Sequence, residues 1–494
     1  MNLKRLVLLH WPIIIILAFA AVVRFWRLEA LTTFGSDQGY DFLIVKRMLV
    51  DGKFTLLGPK IGPYNNIGNL YLGPAYYYLI APFLLAFHFN PIGPAVFTAS
   101  LAIATIFMIY VIAVRFISKT VAVLASGLYA FNAFLIDQSR ATSNPHLIPF
   151  FSSIFIFSLL QITLKKAKSI IWPILCGFSL GIMFQLHYLT ISLFIAALVL
   201  LTFSRKLTKL IEVILAFIVI ISPQIMFEIR HEFFITNQFF RQITSGQSVS
   251  NFEVFKAQFI ISVKKLSFAF FNVDKFSLII FIPATFLILI YLLKDRKTQV
   301  PIFLLILTVI FNLSLACLYP GEIGLHYFAS IYVHVVILIA IMIVALFNLA
   351  GNYVYKSIVV LLVLQIFAIN FLNLNLFREE GYTMPKGWNL IGIKIAASII
   401  KSNINPTERF NIASTLDGDT RAMPYRYLLE TNNLKPLGVE DYPSANILFL
   451  VCRDEDEAIK RYTVWEVASF SPFRIVAKWE IQNGIKLYKL AKAS

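Results

Sequence analysis

Apolar runs near 6–23, 94–114, 120–136, 147–164, 170–187, 189–203, 208–227, 276–293, 300–318, 326–348 and 356–376 dominate this chain. Most of them approach the roughly 20 residues that a helix needs to cross a hydrocarbon core. Backbone amides find no water in that core, so runs of this kind fold as helices whose hydrogen bonds close within each segment. About eleven spans are expected. Only 14% of residues are charged and 59% are hydrophobic, against about a quarter charged in an ordinary soluble domain, so a water-soluble fold would lack the polar surface to cover its core.

The formal charge of +17 does not point to nucleic acid, because most Lys and Arg lie in short clusters between apolar runs, as cytoplasmic loops do. Cys176, Cys317 and Cys452 are far apart in sequence and suggest neither a disulfide framework nor a thiolate metal cluster. The run 6–23 meets no small-residue cleavage site before Arg24, so it is expected to be a retained helix.

One further apolar stretch, 74–89, decides the topology. The loops holding Arg115 and Lys119, Lys165 to Lys168, Arg205 to Lys209, Lys294 to Lys297, and Lys356 are all basic. They fall on one cytoplasmic side, together with the N-terminus, only if 74–89 does not span. Its Pro74, Pro82, Tyr76, Tyr77 and Tyr78 suit a helix embedded at the interface. The outer face then receives 24–73, 137–146, the turn at His187 and Tyr188, 228–275, 319–325 and the C-terminal tail, all richer in His, Asn, Gln, Asp and Tyr. The expected localisation is multi-pass in the plasma membrane, with the site and the C-terminal domain extracytoplasmic.

After residue 376 the composition turns mixed and polar, with strand-like runs at 410–413, 447–451 and 473–479 between helical patterns at 391–403, 425–432 and 455–462. That alternation predicts a small α/β domain over 378–494, following a membrane domain over 1–377. Asp417-Gly418-Asp419 is read as a turn in preference to a metal loop.

The chemistry-bearing residues crowd the outer connections. Phe34-Gly35-Ser36-Asp37-Gln38-Gly39-Tyr40-Asp41 opens a helical pattern and places two carboxylates on one face. A carboxyl near the membrane surface can have a raised pKa, which suits a general base. By themselves these residues fit a capping Asp37 and a solvated Asp41 better. Asn144-Pro145 is, taken alone, a turn, and single histidines at an interface are more often solvated or capping groups than ligands.

One apolar span, an acidic motif opening an outer helix, and then Gly73-Pro74-Ala75-Tyr76-Tyr77-Tyr78-Leu79 together resemble the GT-C glycosyltransferases that use polyprenyl-phosphate sugars. The chain is most similar to bacterial relatives of protein O-mannosyltransferases and aminoarabinose transferases. The resemblance implies a polytopic α-helical GT-C-like fold and transfer of a sugar from a polyprenyl-phosphate donor to an acceptor hydroxyl or amine of a glycan, lipid or protein, with inversion. Asp37 matches the family's acid, and Gln38 stands where a second acid is usual, with Asp41 a turn further on. In the second outer loop, Asp137-Gln138-Ser139-Arg140-Ala141-Thr142-Ser143-Asn144-Pro145-His146, relatives place Asp or Asn before Pro. Asn144 can bond a sugar or phosphate but is a weak metal ligand.

On this reading Asp37 deprotonates the acceptor, while Arg140, His187, Arg230 and His326 hold the lipid phosphate. Gln38, Asp41, Asn144, His146, Gln185, Tyr188, His231 and Tyr327 complete the substrate site, and 74–89 helps to form the lipid groove. A divalent cation, Mg or Mn, is left open. No Gly-Lys-Ser/Thr loop or His-Glu-x-x-His helix occurs, so phosphate-loop ATPase and zinc-protease chemistry have no motif support; the Gly-x-Ser-x-Gly spacing at 177–181 lies inside the apolar run 170–187 and not at the strand-to-helix turn that a serine-hydrolase elbow needs. The alternatives are a transporter or flippase for a lipid-linked sugar, whose polar residues would lie nearer the midplane, and a non-catalytic binder.

Overall fold

The computed structural model describes residues 3–61, 70–164, 169–244, 252–272, 298–319, 321–405, 407–416 and 418–493. The expected span 276–293, the basic groups Lys165 to Lys168 and Lys294 to Lys297, and Asp417 lie outside them. Among the described residues, six helices are long and apolar enough to cross a membrane: Ile92–Phe116, Asn144–Leu164, Leu207–Arg230, Gln299–Cys317, Leu325–Leu349 and Tyr353–Leu372. The runs at 6–23, 170–187 and 189–203 form the shorter apolar helices His10–Phe25, Ile171–Leu186 and Tyr188–Phe203. The helix Ala75–Ala86 has 12 residues, about 18 Å of rise against a core of about 30 Å, in keeping with a stretch that does not span.

The run 120–136 is not one straight helix. Lys119–Phe131 and Ala133–Arg140 meet at 61°, and the break falls at Asn132, whose carboxamide oxygen accepts the Leu135 N–H at 2.9 Å and caps the second helix. A break at membrane depth exposes backbone groups that lipid cannot satisfy. Here neighbouring helices supply the partners: Asn370 Oδ1 accepts the Ala133 N–H at 3.0 Å, and Arg24 donates to the carbonyls of Ala130 at 3.1 Å and Tyr129 at 3.4 Å. Arg140 returns the favour at the end of the first helix by donating to the Val23 carbonyl. Both arginines are buried, each placed where a helix C-terminus gathers negative potential.

The C-terminal portion carries the expected small α/β domain. Its four strands, β3 (Phe410–Ser414), β4 (Ile447–Cys452), β5 (Phe473–Gln482) and β6 (Ile485–Lys492), are ordered β3-β4-β6-β5. The β3–β4 pair is parallel and the others antiparallel. Strands β1 (Lys60–Ile61) and β2 (Leu70–Tyr71) form a separate short antiparallel pair in the first outer loop. β6 was not expected, because Lys486, Lys489 and Lys492 interrupt its apolar pattern. The signal lay in Asn483-Gly484, whose φ values of 51° and 73° make the two-residue turn that joins antiparallel strands.

This domain packs directly on the outer helix Ser36–Val50. A Cβ on Gly39 would lie 2.4 Å from the Pro424 nitrogen and 2.5 Å from the Met423 carbonyl carbon, so only glycine lets the helix Met423–Thr431 approach so closely. Tyr427 packs against Phe34 and Phe42 with ring centroids 5.9 and 5.8 Å away, and its hydroxyl donates to the Phe89 carbonyl at 2.6 Å. Arg47 and Glu430 add an ion pair at 2.6 Å.

Candidate functional site

The Ser36–Val50 helix owes its start to Gly35 and Gln38: Gly35 is the extended N-cap residue, and Gln38 Oε1 accepts its N–H at 3.0 Å. Gln38 Oε1 is therefore engaged in capping, which accounts for a side-chain acceptor at the third helical position. Asp37 is not the cap. It sits in the first turn, where the helix dipole favours a negative charge, and its side chain is open to solvent.

Asp41 is the opposite case. The expectation of a solvated charge fails, because Asp41 is buried and accepts a hydrogen bond from the Tyr77 hydroxyl at 2.8 Å. Burial raises its carboxyl well above the usual range, the Tyr77 bond opposes that rise, and the nearby Asp37 adds to it. Desolvation also raises Asp37, with Asp419 adding and Arg421 opposing. When two neighbouring carboxyls sit in different surroundings, the buried one takes up a proton first and leaves the accessible one ionised. Asp37 is thus the more accessible of the two carboxyls.

A second cluster gathers where the second outer loop, the 186–190 turn and the 319–327 connection meet. The ring centroids of His187 lie 5.7 Å from His326 and 5.1 Å from Tyr327, and His326 lies 4.7 Å from Tyr327. His146 bonds Ser143 Oγ through Nδ1 at 3.1 Å and is within electrostatic reach of His326. His187 Nδ1 accepts the Leu189 N–H at 3.3 Å, which leaves Nε2 as the donating nitrogen. Lys265, which sequence reasoning missed, comes from the helix Phe252–Phe271. It donates to the Ile323 carbonyl, lies 3.8 Å from Glu322 and acts electrostatically on His326. Only the chain's return at 319–327 brings a histidine to Lys265.

The two clusters are tied together through shared loops. Thr33 pairs with Ala141 in an isolated parallel bridge, and the Tyr76 hydroxyl donates to the Thr142 carbonyl at 3.2 Å. Asn144 Nδ2 donates to the Leu186 carbonyl at 2.7 Å. Gln185 accepts the Ala75 N–H at 3.2 Å and donates to the Ile220 carbonyl at 2.8 Å. Tyr188 donates to the Tyr71 carbonyl and accepts from Gln224 at 3.0 Å. Asn144, Gln185 and Tyr188 are therefore the braces of the site.

Arg140 differs from the expectation: its guanidinium is buried, donates to Val23 and stands 3.5 Å from Asp137, which also pairs with Arg378 at 2.6 Å. These contacts make it a structural cation. Arg230 and His231 are exposed at the end of Leu207–Arg230, with His231 stacked on Phe227 at 4.1 Å, and no recorded ring or hydrogen-bond contact joins them to the histidine cluster among the described residues. His146 also borders a small cavity lined by Leu101, Thr105, Tyr129, Gln138 and Tyr332. Among the described residues no three His, Cys, Asp or Glu side chains gather as a metal cage, and Asp41 is engaged by Tyr77.

Residues 72–227 match the family model described as dolichyl-phosphate-mannose-protein mannosyltransferase. No curated protein matches the chain significantly in sequence. Among solved structures, ArnT from Cupriavidus metallidurans bound to undecaprenyl phosphate superposes with a TM-score of 0.62 at 13% identity, covering 96% of this chain and 97% of that one. Its apo state gives 0.61 at 12%, with the same coverage. The oligosaccharyltransferase AglB from Archaeoglobus fulgidus, in complex with an inhibitory peptide and a dolichol-phosphate, gives 0.53 at 12%, covering 94% of this chain and 71% of that one. At such identities the likeness is one of fold. Together, the family segment and the fold bear out the resemblance to GT-C glycosyltransferases drawn from the motifs.

Proposed function

We propose that this chain is a glycosyltransferase that moves one sugar from a polyprenyl-phosphate carrier to an acceptor hydroxyl or amine. The observation that carries the reading is the joining, through shared loops, of a solvent-accessible carboxylate at Asp37 to a cationic and imidazole cluster at Lys265, His146, His187 and His326. An acid–base displacement at an anomeric carbon needs those two ends. The acceptor oxygen attacks the anomeric carbon as its proton passes to Asp37. The bond from that carbon to the phosphate oxygen breaks on the far face, its electron pair leaves with the lipid phosphate, and the configuration inverts. Donors and positive charge at the leaving oxygens stabilise the charge that develops there.

The fold likeness to an ArnT structure holding undecaprenyl phosphate supports a lipid-linked donor. The pattern of basic loops supports an outward-facing site in the plasma membrane, with the membrane domain ending near residue 377 and the extracytoplasmic domain following. The test is purified protein in lipid nanodiscs supplied with radiolabelled undecaprenyl-phosphate hexoses. Release of lipid phosphate that depends on Asp37 supports the reading. Binding of the donor with no cleavage, in the presence of membrane and cell-wall extracts as acceptors, would leave a lipid-sugar binder instead.

A further inference from the structure

The three imidazoles of the histidine cluster stand at the heads of three different apolar helices. His146 lies in the first turn of Asn144–Leu164, His187 immediately precedes Tyr188–Phe203, and His326 opens Leu325–Leu349. Each helix then carries a buried serine further in: Ser152, Ser192 and Ser330, which follow the respective histidine by six, five and four positions. That is roughly 6–10 Å of helical rise below the rings. Ser152 Oγ donates to the Ser330 carbonyl at 2.6 Å, and Asn312 Nδ2 donates to Ser330 Oγ at 3.0 Å and to Ser192 Oγ at 3.4 Å. Asn312 comes from a fourth helix, Gln299–Cys317, which carries none of the imidazoles. All four residues are buried.

We propose that Asn312 is a positioning residue whose amide, with Ser152, Ser192 and Ser330, forms a buried knot that sets the spacing of His146, His187 and His326. Helices in lipid gain no hydrophobic drive toward one another, so small residues and interhelical hydrogen bonds decide how they align. Serine lets each helix approach closely, and the shared amide fixes the depth of each helix against the others. Stability is a poor explanation for the asparagine. Its Oδ1 is buried with no hydrogen-bond partner among the described residues, and such an orphan costs free energy. One polar side chain in an apolar helix interface is known instead to fix alignment at a cost in stability. The knot lies a turn or more below the rings, so its influence passes through the helices that it joins.

The functional meaning of this knot rests on the phosphate role given to the imidazoles above, and the test separates the two. Asn312→Leu and the triple variant Asn312→Leu/Ser192→Ala/Ser330→Ala are prepared as full-length protein in nanodiscs. Labelling by diethyl pyrocarbonate, which acylates neutral imidazoles, is read at each histidine by peptide mass spectrometry, alongside the thermal midpoint and the affinity for undecaprenyl phosphate. The triple variant should keep or exceed the wild-type thermal midpoint, since removing both partners of a buried hydrogen bond together is close to neutral. Labelling of the half-buried His146 and His187 should nevertheless rise several-fold, and lipid affinity should fall roughly tenfold, as for the loss of one hydrogen bond to a charged group. His10, which bonds the Tyr110 hydroxyl at 2.7 Å in the first helix, reports general loosening and should label as in wild type. Ser330→Ala added to Asn312→Leu should add nothing, because both changes remove the same bond. Ser158→Ala removes a buried hydroxyl that has no partner among the described residues, further along the helix of Ser152, and should change none of these readouts. Wild-type labelling and affinity in the triple variant would overturn the proposal. So would a lowered thermal midpoint with labelling raised equally at His10. Raised labelling of His146 and His187 with undiminished lipid affinity would uphold the positioning role and sink only the phosphate role of the histidines.

Discussion

The acid end and the histidine end of this site are built on different plans. Around Asp37 the charged groups belong to a short outer helix and to the C-terminal domain pressed against it, which brings Asp419 and Arg421. Around His187 the groups come from connections between membrane helices and carry little fixed charge: three imidazoles, a tyrosine and Lys265. The difference teaches a division of labour. On the proposed reading, the acid end would hold the base and the histidine end the donors for the lipid phosphate.

The most severe way to break this comparison is Asp37→Asn, which keeps the shape and first-turn position of the side chain. It should slow sugar transfer at least about a hundredfold while undecaprenyl-phosphate binding stays near wild type, measured by single-turnover assays and by lipid binding in nanodiscs. A matching loss of donor affinity would mean that the two ends are not functionally separate. At the other end, Lys265→Ala and His326→Ala should each weaken undecaprenyl-phosphate binding roughly tenfold, since a hydrogen bond to a charged group is worth about 1.5–3 kcal/mol.

Gln38 sharpens the comparison from within the acid end. Gln38→Ala removes the side-chain acceptor for Gly35 and should cost about 1 kcal/mol of stability, seen as a lower thermal midpoint. Gln38→Glu restores an acceptor at the same helical position and should recover it; a gain of metal-dependent turnover in that variant would show a chemical role that capping does not explain. The smallest effect is expected at Arg230 and His231. Alanine at either should change donor binding by less than about twofold, as exposed groups outside both clusters rarely contribute more, and a tenfold loss would extend the phosphate end to the end of Leu207–Arg230.

Much of this was legible because a membrane simplifies the code. The helices Ile92–Phe116, Gln299–Cys317 and Tyr353–Leu372 follow directly from uninterrupted apolar runs, and Asp37, His187 and His326 stood out as polar residues beside them. What the chain did not disclose depends on tertiary meeting points. Asp41 and Tyr77 are 36 positions apart and find each other only because the helix Ala75–Ala86 folds back on the outer helix. Arg140 has the composition of a phosphate ligand, yet its partners are a carbonyl 117 positions away and the Asp137 it shares with Arg378. The bend at Asn132 was readable in principle, since an asparagine inside an apolar run is a capping residue in an unusual place.

That bend also sets a timetable for biosynthesis. The Ala133 amide meets its partner on Asn370, 237 positions later in the chain, an interval of roughly 10–50 s at the ribosome. Through that wait the newly inserted helix pair carries an open backbone group in lipid, and the last membrane helix is the piece that closes it. A nascent chain released before Tyr353 should therefore leave the 131–133 junction open to protease or to an insertase long after the flanking helices have entered the bilayer, and full-length chain should lose that sensitivity as its final helix docks. Quality control acting on this protein would then sense the arrival of its last transmembrane segment through a joint made near its beginning.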